Sequence, residues 1–440
     1  MKATTGYPEF DSFVNTVCSQ VRAKQLHRDI RYELTAHLEE HMEDNLAKGM
    51  SLEDACLHAV ASMGEPEGIG RDLDKTHRPR TDWGLLLLVV LLSGVGLLAM
   101  YNVQMNSTNI ISHMLFERKI VFVCIGMFLM GLLWVFDYQK LKKYSEYFYA
   151  VGIVILWVTS YTGEIMNGQR GWLSVGAIGL HTPTIAIFML LIGLAGMKSA
   201  RLWSWKEGML QFVYRGLLPL FLLMNLHVMT LAMVYMAVCM IHLWFTRRSL
   251  LQLTSFVTAS VGILLIIVVK SNYLQHRIRA ALHWTDDPQG AGYQLTQFLA
   301  AMRSAGWWGT GMGTPNTRIP YVHSEGLLPY FIYCLGWGAG IIVLMLIFAF
   351  ICRSVVTITY IKDEFGKRLS AVIGTLFIVE SIWSVAMVFG YAPIVGLSLP
   401  FLSYGGTDQL TQFIAVGLLL SIYRRRNMIS VRHSAESELV

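Results

Sequence analysis

The sequence predicts an all-α, polytopic membrane protein with about ten transmembrane helices, preceded by a small soluble helical domain. Three observations predict it. Hydrophobic residues fill 54% of the 440 positions and charged residues only 15%, against roughly 25% charged in an ordinary soluble domain. Mean hydropathy is +0.48. The charge is also unevenly placed: residues 1–80 hold 10 Lys/Arg and 14 Asp/Glu, whereas 81–440 hold 25 and 15. An acidic prefix therefore stands before a basic, apolar body.

The prefix, 1–80, reads as helices. Phe10, Phe13, Val14, Val17 and Val21 recur at helical spacing, as do Ile30, Leu34, Leu38, Met42 and Leu46. Gly49 stops the second run, Ser51 with Asp54 forms a capping-box pattern for the next, and Gly64 with Pro66 closes that helix. Lys75, Arg78 and Arg80 then lead toward the membrane. No signal peptide is expected, because the first apolar run starts near Trp83 behind polar sequence.

A spanning helix needs about 20 predominantly apolar residues. Such segments fall at 83–102, 120–136, 146–161, 182–198, 215–226, 228–245, 253–270, 328–352, 369–391 and 407–423. The stretch 215–245 is too long for one straight span and short for two, which fits a broken or re-entrant pair. With ten spans and a cytoplasmic N-terminus, Lys140, Lys142, Lys143, Arg201, Lys206, Arg215, Arg247, Arg353, Lys367 and the basic tail fall on inside loops. The segments 162–181 and 392–406 would be external and carry only Arg170. The expected layout is a cytoplasmic prefix 1–80, a membrane body 81–426 with a large external loop 271–327, and a cytoplasmic tail 427–440. The localisation this implies is a multi-pass cell-membrane protein with both termini in the cytoplasm.

Several classes drop out. The six cysteines (18, 56, 124, 239, 334 and 352) form no C-x-x-C. The pI near 8.9 is explained by cations flanking apolar runs, so membrane lipids rather than nucleic acid are the expected partners. His37-Leu38-Glu39-Glu40-His41 matches H-x-x-E-H, but on a charged amphipathic helix with no third ligand near in sequence; a solvated face is the better reading. No phosphate-loop pattern occurs, and no ATP-driven chemistry is expected. No metal site is assigned and no cofactor is evident, although a divalent cation would be compatible.

The most unusual stretch runs from Pro393 through Gly396 to Ser398-Leu399-Pro400-Phe401-Leu402-Ser403-Tyr404-Gly405-Gly406-Thr407. Composition fits either a re-entrant element or a tight structural connection. This block resembles the signature of the SEDS family (shape, elongation, division and sporulation; FtsW, RodA and SpoVE), P-x-T-G-x-P-L-P-F-x-S-Y-G-G-[ST]. Gly292-Tyr293-Gln294, Gln297, Ser304, Gly306, Gly309, Gly311 and Gly313 follow a second family block. Tyr273, Arg277, Asp287 and Pro288 fit its Y-x-x-x-R and D-P positions; Gln169-Arg170, Trp172 and Pro183 fit an earlier region. The resemblance covers about 83–425.

The resemblance implies a peptidoglycan glycosyltransferase that polymerises undecaprenyl-linked lipid II on the outer membrane face, with a class B penicillin-binding protein as partner. The family's proposed catalytic carboxylate is the Asp of H-T-D, and His323-Ser324-Glu325 stands there in this chain. Glu325 is thus the candidate base that takes the proton of the acceptor hydroxyl while pyrophosphate leaves. On its own residues alone, Glu325 reads better as a solvated loop acid before the eighth span. Candidate substrate-binding residues are Arg277, Asp287, Tyr293, Gln297, His323, Pro400, Ser403, Tyr404, Gly405 and Gly406.

Departures from the pattern point to a divergent member. The family's P-S-E-x-x-K reads Pro183-Thr184-Ile185-Ala186-Ile187-Phe188, and Q-P-D-L-G-T-A reads Asn225-Leu226-His227-Val228-Met229-Thr230-Leu231. The family's E-E before L-G is Tyr333-Cys334, and Glu380 stands in the ninth span where the family usually has Gln. Ionisable groups at such depth are functional candidates by default, so Glu380 and His227 are intramembrane polar candidates and a conceivable pair. Two competing readings stay open: a non-catalytic scaffold of a wall-synthesis complex, and a lipid or solute transporter.

Overall fold

The computed structural model describes residues 7–106, 114–166, 168–175, 178–197, 204–246, 250–270, 275, 278–279, 284–290 and 292–428. They divide into two compact units. Of the described residues, the first holds 7–81, 360–364 and 422–428; the second holds those within Asp82–Thr359 and Phe365–Ser421.

In the first unit, α1 (Pro8–Gln20), α2 (His27–Ala47), α3 (Leu52–Met63) and α4 (Pro66–His77) form the prefix. The apolar stripes meet in one core, Phe10, Phe13, Val14 and Val17 against Ile30, Leu34, Leu38 and Met42, with Ala55, Cys56 and Ala59. Each fully buried large side chain contributes about 1.5–3 kcal/mol. The Ser51 hydroxyl accepts from the Asp54 amide at 3.2 Å, the expected cap of α3. Gly64 ends α3 with φ +88°. Pro66 differs from expectation: rather than only closing α3, it opens α4 at the first helical position, where its missing N–H costs nothing. His37 and His41 lie exposed on α2, with His37 Nδ1 3.6 Å from Glu40 Oε2. Among the described residues no group of His, Cys, Asp and Glu is arranged to hold a metal ion.

In the second unit each predicted apolar segment falls on a helix. They are α5 (Trp83–Asn106), α6 (Leu115–Val135), α7 (Ser145–Thr162) and α8 (Thr182–Ala195). After α9 (Trp205–Gln211) come α10 (Leu218–Asn225), α11 (Met229–Thr246) and α12 (Leu250–Lys270). Beyond α13 (Tyr293–Ser304) follow α14 (Leu327–Thr359), α15 (Glu364–Val388) and α16 (Gly406–Arg425). Among the described residues, four helices are long and apolar enough by themselves to cross a membrane: α5, α6, α14 and α15. Phe128, Val154 and Phe348 are more than half exposed on these helices and on α7, an arrangement that suits lipid rather than water.

Three local features differ from a plain bundle. Residues 164–181 form a small antiparallel sheet, β1 (Glu164–Met166), β2 (Gln169–Val175) and β3 (Ile178–His181), in that order. A π-helical stretch, Phe212–Leu217, leads into α10. The pair α10–α11 is broken at Leu226–Val228, where His227 takes φ +58° and the Leu226 carbonyl accepts from the Arg170 amide at 3.0 Å.

The core joins Tyr149 and Leu156 of α7, Ile187, Leu190 and Leu191 of α8, Leu223 of α10, Tyr235 of α11 and Leu376 of α15. Arg215, expected among loop cations, is instead buried. Its guanidinium donates to the Glu146 carboxylate, with Oε2 at 2.6 Å, and lies 5.0 Å from the Tyr149 ring centre. Arg353 is likewise paired, at 2.8 Å, with fully buried Asp82 at the start of α5. Removing one partner of such a pair strands a buried charge, which costs far more than the pair itself is worth.

Candidate functional site

Glu325 follows a tight turn in which the Ser324 and Gly326 amides both donate to the Tyr321 carbonyl at 3.0 Å. The Ser324 hydroxyl donates to Glu325 Oε2 at 2.7 Å. This leaves Oε1 facing Gly396: a Cβ placed there would lie 3.5 Å from Oε1 and 3.6 Å from Gln169 Nε2. A carboxylate and a carboxamide from distant segments thus bracket one point beside a glycine at φ +74°. That pairing suits a hydroxyl that gives its proton to one group while the other holds it in place.

The Pro393–Thr407 connection carries this turn. The Ser403 amide donates to Leu399 O at 3.2 Å, and the Ser403 hydroxyl accepts from the Leu399 amide and donates to Ser324 O, both at 3.2 Å. The Tyr404 amide donates to His323 O at 2.8 Å. Phe401 takes φ +62°, and its amide donates to Gln412 Oε1 at 3.0 Å. A non-glycine residue held in the left-handed region persists only where its surroundings over-determine it. Lys119 of α6, wholly buried, donates to the carbonyls of Leu402 and Ser403, the latter at 3.1 Å.

The structure brings several sequence candidates together here. Pro400 and Ser403 are buried, and Tyr404, Gly405 and Gly406 half-buried. The Tyr404 ring stands 6.4 Å from both the His323 and Phe122 rings. Burial pushes the His323 imidazole below its usual range, with Glu325 pulling the other way.

Other candidates lie elsewhere. Asp287 builds a turn with its own carboxylate, Oδ1 accepting from the Gly290 amide at 2.9 Å, just before α13. On α13, Gln297 is half-buried and the Tyr293 hydroxyl donates to Arg318 O at 3.2 Å. Arg277 lies outside the described residues.

The glycine block is explained by packing. Helix α14 opens at Gly336 (φ 85°, ψ 172°), and the block runs along the opening. Thr310 and Gly311 amides donate to Tyr333 O and Cys334 O, and the Trp337 amide to Gly306 O, each at 3.0 Å. A Cβ on Gly309 would meet Cys334 O at 2.2 Å, so only glycine permits the approach.

Glu380 occupies a different place. It is buried on α15, accepts from Gln412 Nε2 at 3.4 Å and faces a cavity lined also by Thr184, Ile187, Phe188 and Asp408. Asp408 Oδ1 accepts from the Thr184 hydroxyl at 2.7 Å, which lies 2.8 Å from His181 Nδ1. Burial lowers the His181 imidazole's affinity for a proton, opposed by Asp408. His227 lies at the α10–α11 break with its side chain exposed, and it is not among the lining residues. Phe188, which stands where the family has Lys, lines the same cavity as Glu380; Ile185, at the family's Glu position, is not among the lining residues.

Sequence alone does not single out Lys119, Gln169, Thr184, Asp408 or Gln412 as site residues. Gln169 carries a signal in the Gln-Arg pair; Lys119 carries one as the last of three charged residues, Glu117-Arg118-Lys119, at the edge of an apolar run.

The family model for FtsW, RodA and SpoVE, described as "Cell cycle protein", matches residues 83–428. The chain is 28% identical over 352 residues to a probable peptidoglycan glycosyltransferase FtsW of Trichlorobacter lovleyi, covering 78% of this chain and 92% of that one. It is 24% identical over 371 residues to the stage V sporulation protein E of Bacillus subtilis, covering 79% and 98%. Its fold is similar to that of Thermus thermophilus rod shape determining protein RodA, with TM-score 0.59, 18% identity and coverage of 79% and 97%. These matches, the apolar helices and the joined loop blocks agree: the chain is a multi-pass bacterial membrane protein and belongs to the FtsW/RodA/SpoVE family.

Proposed function

We propose that the protein is a membrane glycosyltransferase that polymerises lipid II into peptidoglycan strands. The observation that carries this is Glu325: a carboxylate with one oxygen held by Ser324 and the other turned toward Gly396 and Gln169. Glu325 takes the proton from the acceptor sugar hydroxyl as that oxygen bonds to the donor's anomeric carbon. The bond to the undecaprenyl pyrophosphate breaks in the same step, and the pyrophosphate carries away the electron pair. Gln169 and the His323–Tyr404 wall orient the acceptor, which replaces a bimolecular encounter by a held geometry. Arg277 is assigned to the pyrophosphate, since a guanidinium binds phosphate in bidentate fashion. The names of the FtsW relatives support the reaction class.

The proposed orientation puts Glu325 on the external face and both termini in the cytoplasm, on the strength of the basic loops. A class B penicillin-binding protein is the proposed partner, and the prefix is a regulatory or partner module of the wall-synthesis complex. Incubating purified protein with lipid II and resolving the glycan products tests the reaction. Wild type should form polymer; if Glu325→Gln polymerised as fast, the role of the base would be wrong.

A second reading, carriage of a lipid or solute, has the Glu380 cavity in its favour. It requires flipping of labelled lipid in proteoliposomes that Glu380→Gln abolishes.

A further inference from the structure

A lysine amine with no exposure to solvent is costly in a membrane helix, and one that binds backbone carbonyls marks a functional element. Lys119 is such a residue, on α6, and its two carbonyl partners are 283 and 284 residues away. Three facts show that the surrounding structure is built for this contact. A Cβ on Gly96 of α5 would stand 2.5 Å from Phe401 O, 2.8 Å from Lys119 Nζ and 2.9 Å from Leu402 O, so the absence of a side chain lets the loop reach the amine. Phe401, directly before the bound carbonyls, is held at φ +62°. Beyond them, Ser403 and Tyr404 bind Ser324 O and His323 O, the two residues before Glu325.

We propose that Lys119 is a positioning residue for the polymerisation site: its amine fixes the carbonyls of Leu402 and Ser403, and through Ser403 and Tyr404 fixes the turn that aims Glu325. The inference rests on the reading of Glu325 as the base. Lys119 does not touch the reacting atoms. It supplies donors to two carbonyls of the loop, and the loop transmits that position through two hydrogen bonds. A displacement of about 1 Å at a base costs up to 100-fold in rate.

The test compares initial rates of lipid II polymerisation by full-length Lys119→Met, Lys119→Gln and Gly96→Ala in lipid nanodiscs, beside wild type and Glu325→Gln. Lys119→Met keeps the chain's bulk and removes the donors; it should lower kcat about 10- to 100-fold with KM changed less than about threefold. Lys119→Gln keeps a donor and should recover part of the rate. Gly96→Ala crowds both the loop carbonyls and the amine while keeping the lysine, and should reproduce the Lys119→Met pattern. Lys119→Met combined with Glu325→Gln should be no slower than Glu325→Gln alone, because one acts through the other. An unchanged kcat in folded Lys119→Met, or losses that simply multiply in the double variant, would overturn the proposal.

If every variant failed to fold, amide exchange on the wild-type protein still decides. The Ser403 and Tyr404 amides should be protected, and exchange at open-loop rates would overturn the anchored loop. Should Glu325→Gln polymerise normally while Lys119→Met is slow and the double variant no worse than Lys119→Met, the base assignment fails and the loop anchor loses its stated target. Should Glu325→Gln be inactive and Lys119→Met normal, only the positioning role fails.

Discussion

Glu325 and Glu380 are both carboxylates of the membrane body, yet they are held in different ways. Glu325 sits on a frame of backbone hydrogen bonds: a turn closed on Tyr321 O, a loop bound to His323 O and Ser324 O, and a buried amine behind the loop. Glu380 is held among side chains, with Gln412 as donor and Ile187 and Phe188 in the same cavity wall. The first arrangement fixes an oxygen in space and leaves it reachable; the second encloses a carboxyl without aiming it at an opposing group. Catalysis draws on preorganised groups aimed where charge develops. Under the polymerase reading proposed above, chemistry falls to Glu325 and a cavity-shaping role to Glu380.

Short of removing the base altogether, the largest predicted effect is on its reach. Glu325→Asp restores the family's residue type but withdraws the oxygens by about 1 Å from a site built around Glu, and should cost up to 100-fold in kcat. Equal rates for Asp and Glu would show that the frame does not fix the carboxylate. A smaller effect is expected from Gly396→Ala, measured in the same polymerisation assay. Its methyl would enter the space between Glu325 Oε1 and Gln169 Nε2, at 3.5 and 3.6 Å, with the backbone at φ +74°. A loss of about tenfold is expected. Full activity would mean that the acceptor does not pass there.

On the other side of the comparison, Glu380→Gln should change the polymerisation rate by less than about threefold, the modest cost of an isosteric change at one hydrogen bond. A loss as deep as that of Glu325→Gln would dissolve the distinction between the two carboxylates.

The smallest effect concerns pH. Burial lowers the folded-state pKa of His323 below 6.5, so the unfolded chain takes up the proton first as pH falls. The stability this contributes is full above about pH 6.5 and is lost as pH drops through the folded value. Melting temperatures recorded across that window should fall less steeply for His323→Gln than for wild type. Identical slopes would mean that His323 is not buried as described.

The features legible in sequence are those written in contiguous residues. Apolar runs announce the long helices of the body because lipid leaves few other solutions, whereas the short α9 and α13 fall outside them. The stripe Ile30, Leu34, Leu38 and Met42 announces the prefix core in the same way. The strands at 164–181 are not legible because they are short, and β1 is exposed along its length. Pro66 reads only as a stop in sequence, since its role depends on the helix that begins there. Lys119 illustrates the harder loss. An amine beside a predicted boundary at 120 reads as a flank cation, and α6 in fact begins at Leu115, so the residue lies inside the helix. Its meaning rests on two carbonyls nearly 300 residues on, and no local spacing encodes that. Glu325 is reached through the ordered motif resemblance; its hydrogen-bonded frame requires the fold.

The central claim is that two buried or half-buried carboxylates of one membrane body have unequal roles. The most direct test measures lipid II polymerisation by wild type, Glu325→Gln and Glu380→Gln, side by side in the same nanodiscs. The predicted result is a loss of about 10²- to 10⁴-fold for Glu325→Gln, the usual contribution of a general base, with Glu380→Gln close to wild type. Polymer formed at the wild-type rate by Glu325→Gln, or lost only in Glu380→Gln, would contradict the account.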